Sequence, residues 1–199
     1  KTQDYQEVIL NKFITYATVP IISLESATLH PLQSLADLMT IEEQKKKSKI
    51  KVVLTWAPHP QALSQAVANS FAEWMSKLDI EFVIANPPGF NLSKKYTKNA
   101  QISHNQNEAL READFVYSKN WSSYENYGEI GNDFNDWMFT KEKLKLTANA
   151  KFMHCLPIRR NVVASDAVID SKNSLVMEQA NNRTFAAQSV LFKILQNEK

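Results

Sequence analysis

The residues able to do chemistry gather in a few short stretches: SLESATLHPLQ around residue 30, APHPQ around residue 59, YSKNW around residue 119, FMHCLPIRRN over residues 152–161 and EQANNR ending at residue 183. His30 precedes Pro31 and Gln33 at the start of a predicted helix, where the dipole and free N–H groups favour an anion or a developing oxyanion. A neutral imidazole there could donate to a carbonyl oxygen, with Gln33 one turn further on facing the same way; a capping histidine beside a solvated Glu25 is the plainer alternative. His59 stands between Pro58 and Pro60, which restrict the backbone around it and aim its ring, as a ligand contact or as an ordinary turn residue. Lys119 closes a predicted strand and offers a point charge to a carboxylate, unless it is simply solvated.

Cys155 is the only cysteine, and a thiol becomes nucleophilic only beside a base or a positive charge. Strand alternation turns His154 to the opposite face, which disfavours a Cys-His dyad. The Leu156-Pro157 turn offers backbone instead, aiming the carbonyls of Cys155 and Leu156 as acceptors for an amide or amine. Arg159 and Arg160 could then bind a carboxylate. Arg183 adds a further cation at the start of the last helix, or else a surface ion pair.

Other chemistries lack their signatures. No G-x-G-x-x-G turn follows the first strand of the α/β unit, which runs into WAPHPQAL, and the chain has three glycines. A G-x-x-x-x-G-K phosphate loop is missing too, against an ATPase or kinase. Histidines at 30, 59, 104 and 154 and a cysteine at 155 show no metal-ligand spacing, so no metal is expected. A formal net charge of +2, with Lys45, Lys46, Lys47 and Lys49 at a helix end, gives no nucleic-acid footprint. One cysteine cannot form an internal disulfide, and no apolar run resembles a leader or the ~20 residues of a membrane span, so no membrane partner and a cytoplasmic location are expected.

The elements that must position these residues can be read from periodicity. The chain opens on a helical pattern, KTQDYQEVILNKFITYA, with Tyr5, Val8, Ile9 and Phe13 on one face, as if it starts inside a structured region. A strand over VPIISLES feeds a helix over HPLQSLADLMTIEEQKKK with Pro31 in its first turn. Then follow the strand KIKVVLTWA, the helix QALSQAVANSFAEWMSKL, the strand DIEFVIANP, a helical NEALREA, the strand DFVYSK and a polar aromatic loop WSSYENYGEIGND. A helix FNDWMFTKEKLKL, the strand AKFMHCL, a short strand SLVME and a terminal helix complete the order. Such alternation predicts an α/β fold: a three-layer, Rossmann-like parallel sheet with ligands at the carboxyl ends of its strands, where every unusual cluster falls. With 44% hydrophobic residues the chain can bury a core, and a domain boundary is expected near Lys45 to Lys49.

HPLQSLAD, HCLPIRRN and EQANNR, in that order, resemble the motifs H-P-x-Q-x-L-A-D, H-C-L-P and E-x-x-N-R of the aspartate/ornithine carbamoyltransferases. The resemblance spans essentially the whole chain but only the second half of the family's two-domain protein, and the S-T-R-T carbamoyl phosphate loop does not occur in these 199 residues. Within the family, HCLPIRRN and the lysine of YSKNW are similar to the branch acting on N-acetyl- and N-succinylornithine, whereas ornithine enzymes usually carry Asp at the position of Lys119. The chemistry fits: acylation removes the α-ammonium and leaves carboxylates that want a cation. Acetylornithine enzymes often have a lysine where this chain has Val163, a departure that leans towards the succinyl substrate.

The resemblance implies residue roles and partners. His30, Gln33, Arg183 and the carbonyls of Cys155 and Leu156 would contact carbamoyl phosphate, with His30 and Arg183 catalytic. Glu25, His59, Lys119 and Arg159 would contact the acyl-ornithine. No cofactor is implied. It further implies residues 1–46 as the end of a carbamoyl phosphate-binding domain with a bridging helix, 47–178 as the acyl-ornithine-binding domain, and 179–199 as a helix packing back on the first domain. A homotrimer with shared sites, a place in arginine biosynthesis and a knotted backbone near APHPQAL and SSYENYG also follow from it. The rival of another class is a non-catalytic amino-acid-binding fragment.

Overall fold

A computed structural model describes residues 2–131 and 133–197. Two short helices, α1 (Thr2–Tyr5) and α2 (Val8–Tyr16), replace the single helix expected at the start. They are separated by Glu7, whose left-handed backbone (φ 53°) cannot continue a helix. The Glu7 carboxylate is recruited elsewhere, accepting from the Thr28 N–H (2.8 Å), the Ala27 N–H (3.2 Å) and the Ser26 hydroxyl (2.7 Å). These bonds hold its pKa below the usual carboxylate value although partial burial opposes them.

The segment VPIISLES has no strand partners and bends at Val19 and Leu24, so the strand expected there does not form. Helix α3 (Pro31–Gln44) follows, with Pro31 in its first turn, where a missing N–H costs nothing and φ is already helical. The parallel sheet begins with β1 (Lys51–Trp56), then α4 (Ala66–Met75), β2 (Glu81–Ala85), α5 (Lys94–Thr97), β3 (Gln101–Ser103), α6 (Gln106–Leu110) and β4 (Phe115–Lys119). The helix expected over residues 134–146 is broken into a 3-10 turn (Asn135–Trp137) and α7 (Lys141–Leu144), because Thr140 caps the second piece through its hydroxyl. After β5 (Lys151–Met153) and α8 (Asp166–Ile169) comes the long α9 (Val176–Asn197). SLVME is not a strand: one parallel bridge joins Ser174 to Phe152, and the helix starts two residues later.

The strand order is β3-β2-β1-β4-β5, parallel throughout. The chain therefore winds outward from β1 in one direction and returns to wind outward in the other, which opens a crevice at the carboxyl ends of β1 and β4. Val52, Val53, Leu54, Val116 and Phe152 are fully buried, as expected of strands covered on both faces. Helix α4 approaches closely through Ala66, Ala68 and Ala72 and inserts Phe71 edge-on against Tyr117, with ring centroids 4.6 Å apart. The loop over residues 121–124 is tied to the loop after β1: the Ser122 N–H donates to the Leu63 carbonyl (2.9 Å) and Gln65 Nε2 to the Ser122 carbonyl (2.8 Å). Gly131 lies against Phe90 and Trp56, where an added Cβ would come within 2.9 Å of the Phe90 ring. No helix among the described residues is long and apolar enough to cross a membrane.

His154 continues the line of β5 into the interior, where its backbone N–H donates to Gln179 Oε1 at 2.9 Å and its Nδ1 has no partner. Burial, with Lys119 adding to it, lowers its pKa to about 3 from the ordinary 6.5. An unfolded chain thus takes up a proton that the folded one refuses, and stability contributed by neutral His154 is lost as the pH falls from about 6.5 towards 3. Urea unfolding at stepped pH should show a shallower acid loss for His154→Gln than for the unaltered chain; parallel curves would contradict this. Replacing Phe71 by Ala should cost about 3–5 kcal/mol in the same assay, the range for deleting a buried aromatic ring.

Candidate active site

A cleft of about 530 Å³ opens at the carboxyl ends of β1, β4 and β5. Nine of the residues singled out in the sequence line it: Glu25, His30, Gln33, His59, Lys119, Cys155, Leu156, Arg159 and Arg183. Gln61, Leu63, Val67, Pro157 and Ile158 complete the walls. These lining residues carried no chemical signal in the sequence beyond their proximity to the motifs. Arg160 is drawn away, paired with Asp166 and Asp170 at α8, so of the two arginines expected to face a ligand carboxylate only Arg159 lines the cleft.

Each wall is anchored by hydrogen bonds. His30 ends the Glu7-bound loop; its N–H donates to Ser70 Oγ at 2.7 Å, and Asn69 Nδ2 donates to the Thr28 carbonyl at 3.1 Å, so the first turns of α4 hold this loop against the sheet. His30 does not cap α3 with its side chain. Its Nε2 lies 3.8 Å from Glu25 Oε2, yet burial lowers its pKa; Glu25 opposes that shift, and Arg183 and Lys119 add to it. Neutral imidazole is therefore the form present at pH 7, one that can donate a hydrogen bond without carrying charge.

The β1 and β4 ends are joined directly: the Ala57 N–H donates to the Lys119 carbonyl (3.1 Å), and Asn120 Nδ2 donates to the Ala57 carbonyl (2.7 Å). The loop that follows places His59, whose Nδ1 meets the Gln61 N–H at 3.1 Å. Burial depresses the His59 pKa as well, with Lys119 and Arg159 in the same direction. Beyond β5 the chain turns through a cis Leu156-Pro157 bond. Burial raises the pKa of the Cys155 thiol, only partly countered by Lys119, which leaves it protonated and a poor nucleophile.

Arg183 reaches the cleft from α9 and donates from Nη1 to Gln33 Oε1 at 2.6 Å. The lining residues thus bring three cations, Lys119, Arg159 and Arg183, together with one carboxylate, Glu25, and two histidines held towards neutrality. Such a surplus suits anionic ligands, with carboxylate and phosphate oxygens as the natural partners of guanidinium groups. Among the described residues no group of three or more His, Cys, Asp or Glu could hold a metal ion.

Comparison with known proteins agrees with this geometry. Residues 37–194 match the family model for the aspartate/ornithine carbamoyltransferase Asp/Orn binding domain. The chain is 50% identical over 196 residues to an N-succinylornithine carbamoyltransferase of Bacteroides fragilis, covering 98% of this chain and 62% of that protein. It is 35% identical over 211 residues to an N-acetylornithine carbamoyltransferase of Xylella fastidiosa, covering 96% of this chain and again 62% of the relative. Its fold superposes with a TM-score of 0.90 and 31% identity on a crystal structure of an N-acetyl-L-ornithine transcarbamylase variant complexed with carbamyl phosphate and N-succinyl-L-norvaline, over 97% of this chain and 64% of that one. The chain therefore spans a little under two thirds of the length of these relatives. On the match of the greater part of its length, the chain belongs to the aspartate/ornithine carbamoyltransferase family.

Proposed function

We propose that the protein containing this chain transfers the carbamoyl group of carbamoyl phosphate to the δ-amine of N-succinyl-L-ornithine, giving N-succinyl-L-citrulline and phosphate. The observation that carries the reading is the cationic cleft, in which Lys119 stands at the end of β4 and Arg159 after the HCLP turn. A free α-ammonium would be repelled there, whereas an N-succinyl group presents a neutral amide and a second carboxylate. The similarity to an N-succinylornithine carbamoyltransferase at 50% identity supports the same acyl group. Val163, which is buried, stands where acetylornithine enzymes often carry a lysine.

The chain's own groups divide the work. Neutral His30 and Arg183 donate to the carbamoyl oxygen, with Gln33 beside them, while the carbonyls of Cys155 and Leu156 accept from the carbamoyl NH2. Glu25, His59, Lys119 and Arg159 hold the acyl-ornithine. The neutral δ-amine adds to the carbonyl carbon, the C=O pair moves onto oxygen, and this oxyanion is stabilised by the fixed donors. Collapse expels phosphate, which takes up the amine proton, so the thiol of Cys155 is not required as a nucleophile.

The remainder of the molecule would lie over the exposed apolar faces. Ile9 and Phe13 of α2 and Phe185, Phe192 and Leu195 of α9 are open to solvent, surfaces suited to a carbamoyl phosphate-binding domain onto which α9 packs back. Residues 1–46 would then be the end of the carbamoyl phosphate-binding domain with a bridging helix, and 47–178 the acyl-ornithine-binding domain. A homotrimer with shared sites, a cytoplasmic location and a role in arginine biosynthesis complete the proposal. So does the knotted backbone near APHPQAL and SSYENYG that the family likeness implies.

One citrulline-forming assay offering N-succinyl-, N-acetyl- and free ornithine to the complete polypeptide tests the reading. Turnover of the succinyl compound should exceed both others; preference for acetylornithine would move the acyl assignment, and turnover of free ornithine alone would refute it. Replacing His30 by Ala should lower turnover about a hundredfold, the usual cost of one oxyanion donor.

A further inference from the structure

Behind the cleft lies a carboxyl group that touches none of the space a ligand would fill. Asp37 is fully buried one turn beyond Gln33 on α3. Its Oδ1 accepts from Gln33 Nε2 at 2.7 Å and from Gln179 Nε2 at 2.6 Å, whereas its Oδ2 has no hydrogen-bond partner. A primary amide has one donor end and one acceptor end, so an acceptor that captures the NH2 dictates where the oxygen faces. With its NH2 held by Asp37, Gln33 turns Oε1 to Arg183 Nη1. With its NH2 held by the same atom, Gln179 turns Oε1 to the N–H of His154, the residue before Cys155 and Leu156.

We infer that Asp37 is a positioning residue for carbamoyl transfer: by holding both glutamine amides in one orientation, it fixes the Arg183 guanidinium on one side of the cleft and the Cys155–Leu156 carbonyls on the other. The inference rests on the function proposed above for this cleft. It ties together α3, α9 and the end of β5, three elements that meet only in the folded protein. Without the acceptor, either amide could rotate by half a turn, presenting NH2 to the Arg183 guanidinium or to the His154 N–H, where donor would meet donor. Burial raises the Asp37 pKa to about 7, against the pull of Gln33, Gln179 and Arg183, so the group changes ionisation near neutral pH. Either form leaves Oδ1 free to accept, because a proton can reside on Oδ2. The acceptor, and not the charge, is the part the geometry uses.

That distinction sets the test. In the complete polypeptide, Asp37→Asn keeps an acceptor oxygen and Asp37→Leu keeps the size without one. Asp37→Asn should retain turnover within about threefold, while Asp37→Leu should lose about tenfold or more, with KM for carbamoyl phosphate raised and the fold intact by thermal melting. Crystal structures of both variants should show Arg183 still held by Gln33 in the first and released in the second. Wild-type turnover in a folded Asp37→Leu protein, or an unmoved Arg183, would overturn the inference. Equal loss in both variants would overturn it too, since charge would then be what matters. If Asp37→Leu does not fold, Gln179→Met cuts the link to His154 alone: it should raise KM for carbamoyl phosphate, and unchanged kinetics would count against the role. Should the unaltered protein carbamoylate no ornithine derivative, the functional reading fails, while the crystallographic comparison still decides whether Asp37 orients the amides.

Discussion

Residues 139 to 142 positions apart in the chain meet in the seam between α3 and α9, where Gln179 reaches Asp37 and Asn182 Nδ2 donates to Thr40 Oγ1 at 3.0 Å and to Glu43 Oε2 at 2.9 Å. A polar group sealed from water without a partner costs about 1–3 kcal/mol, so a seam of several such groups tolerates few relative placements of the two helices. That constraint carries Arg183 to the rim of the cleft, above the carboxyl ends of the strands. Apolar packing alone would permit the helices to slide, because contacts between aliphatic side chains are non-directional.

The sheet supplies the second half of the arrangement. A parallel order that reverses at β1 leaves a crevice between the ends of β1 and β4, and the loops leaving β1, β4 and β5 bring His59, Lys119 and the Cys155–Pro157 turn into it. Charge then follows from burial: the cations keep access to solvent along the rim, while the histidines, deeper or beside those cations, are pushed towards their neutral forms. The cleft thus separates anion binding from hydrogen-bond donation, an arrangement suited to the transfer proposed above, in which negative charge develops on the carbamoyl oxygen and then departs with phosphate.

Much of this was legible in residue order. Buried β-branched runs such as KVVLTW marked the strands; the HPLQSLAD, HCLPIRRN and EQANNR stretches marked His30, Gln33, Cys155, Arg159 and Arg183, and the SLES, APHPQ and YSKNW stretches marked Glu25, His59 and Lys119. What escaped notice had tertiary causes. VPIISLES has strand-like composition but no strand beside it to pair with, and SLVME gives up one bridge before α9 takes over its backbone bonds. Glu7 breaks the first helix because its carboxylate serves residues 26–28, a bond across 19 to 21 positions that no local pattern announces. Asp37 had a signal in its i, i+4 spacing from Gln33, on a buried helix face that also carries Ser34 and Thr40. Arg160 and Arg159 are adjacent and alike, and only the positions of Asp166 and Asp170 decide which of them is available.

On the function proposed above, the cationic cleft takes an amino acid whose α-nitrogen is uncharged. Calorimetric titration of the complete polypeptide, saturated with carbamoyl phosphate, with N-succinyl-L-norvaline and with free L-norvaline measures this without any chemical step. The acylated compound should bind at least about tenfold tighter than the free amino acid, in line with the loss of one ammonium repelled by Lys119 and Arg159. Equal affinity for the two, or tighter binding of free norvaline, would contradict it.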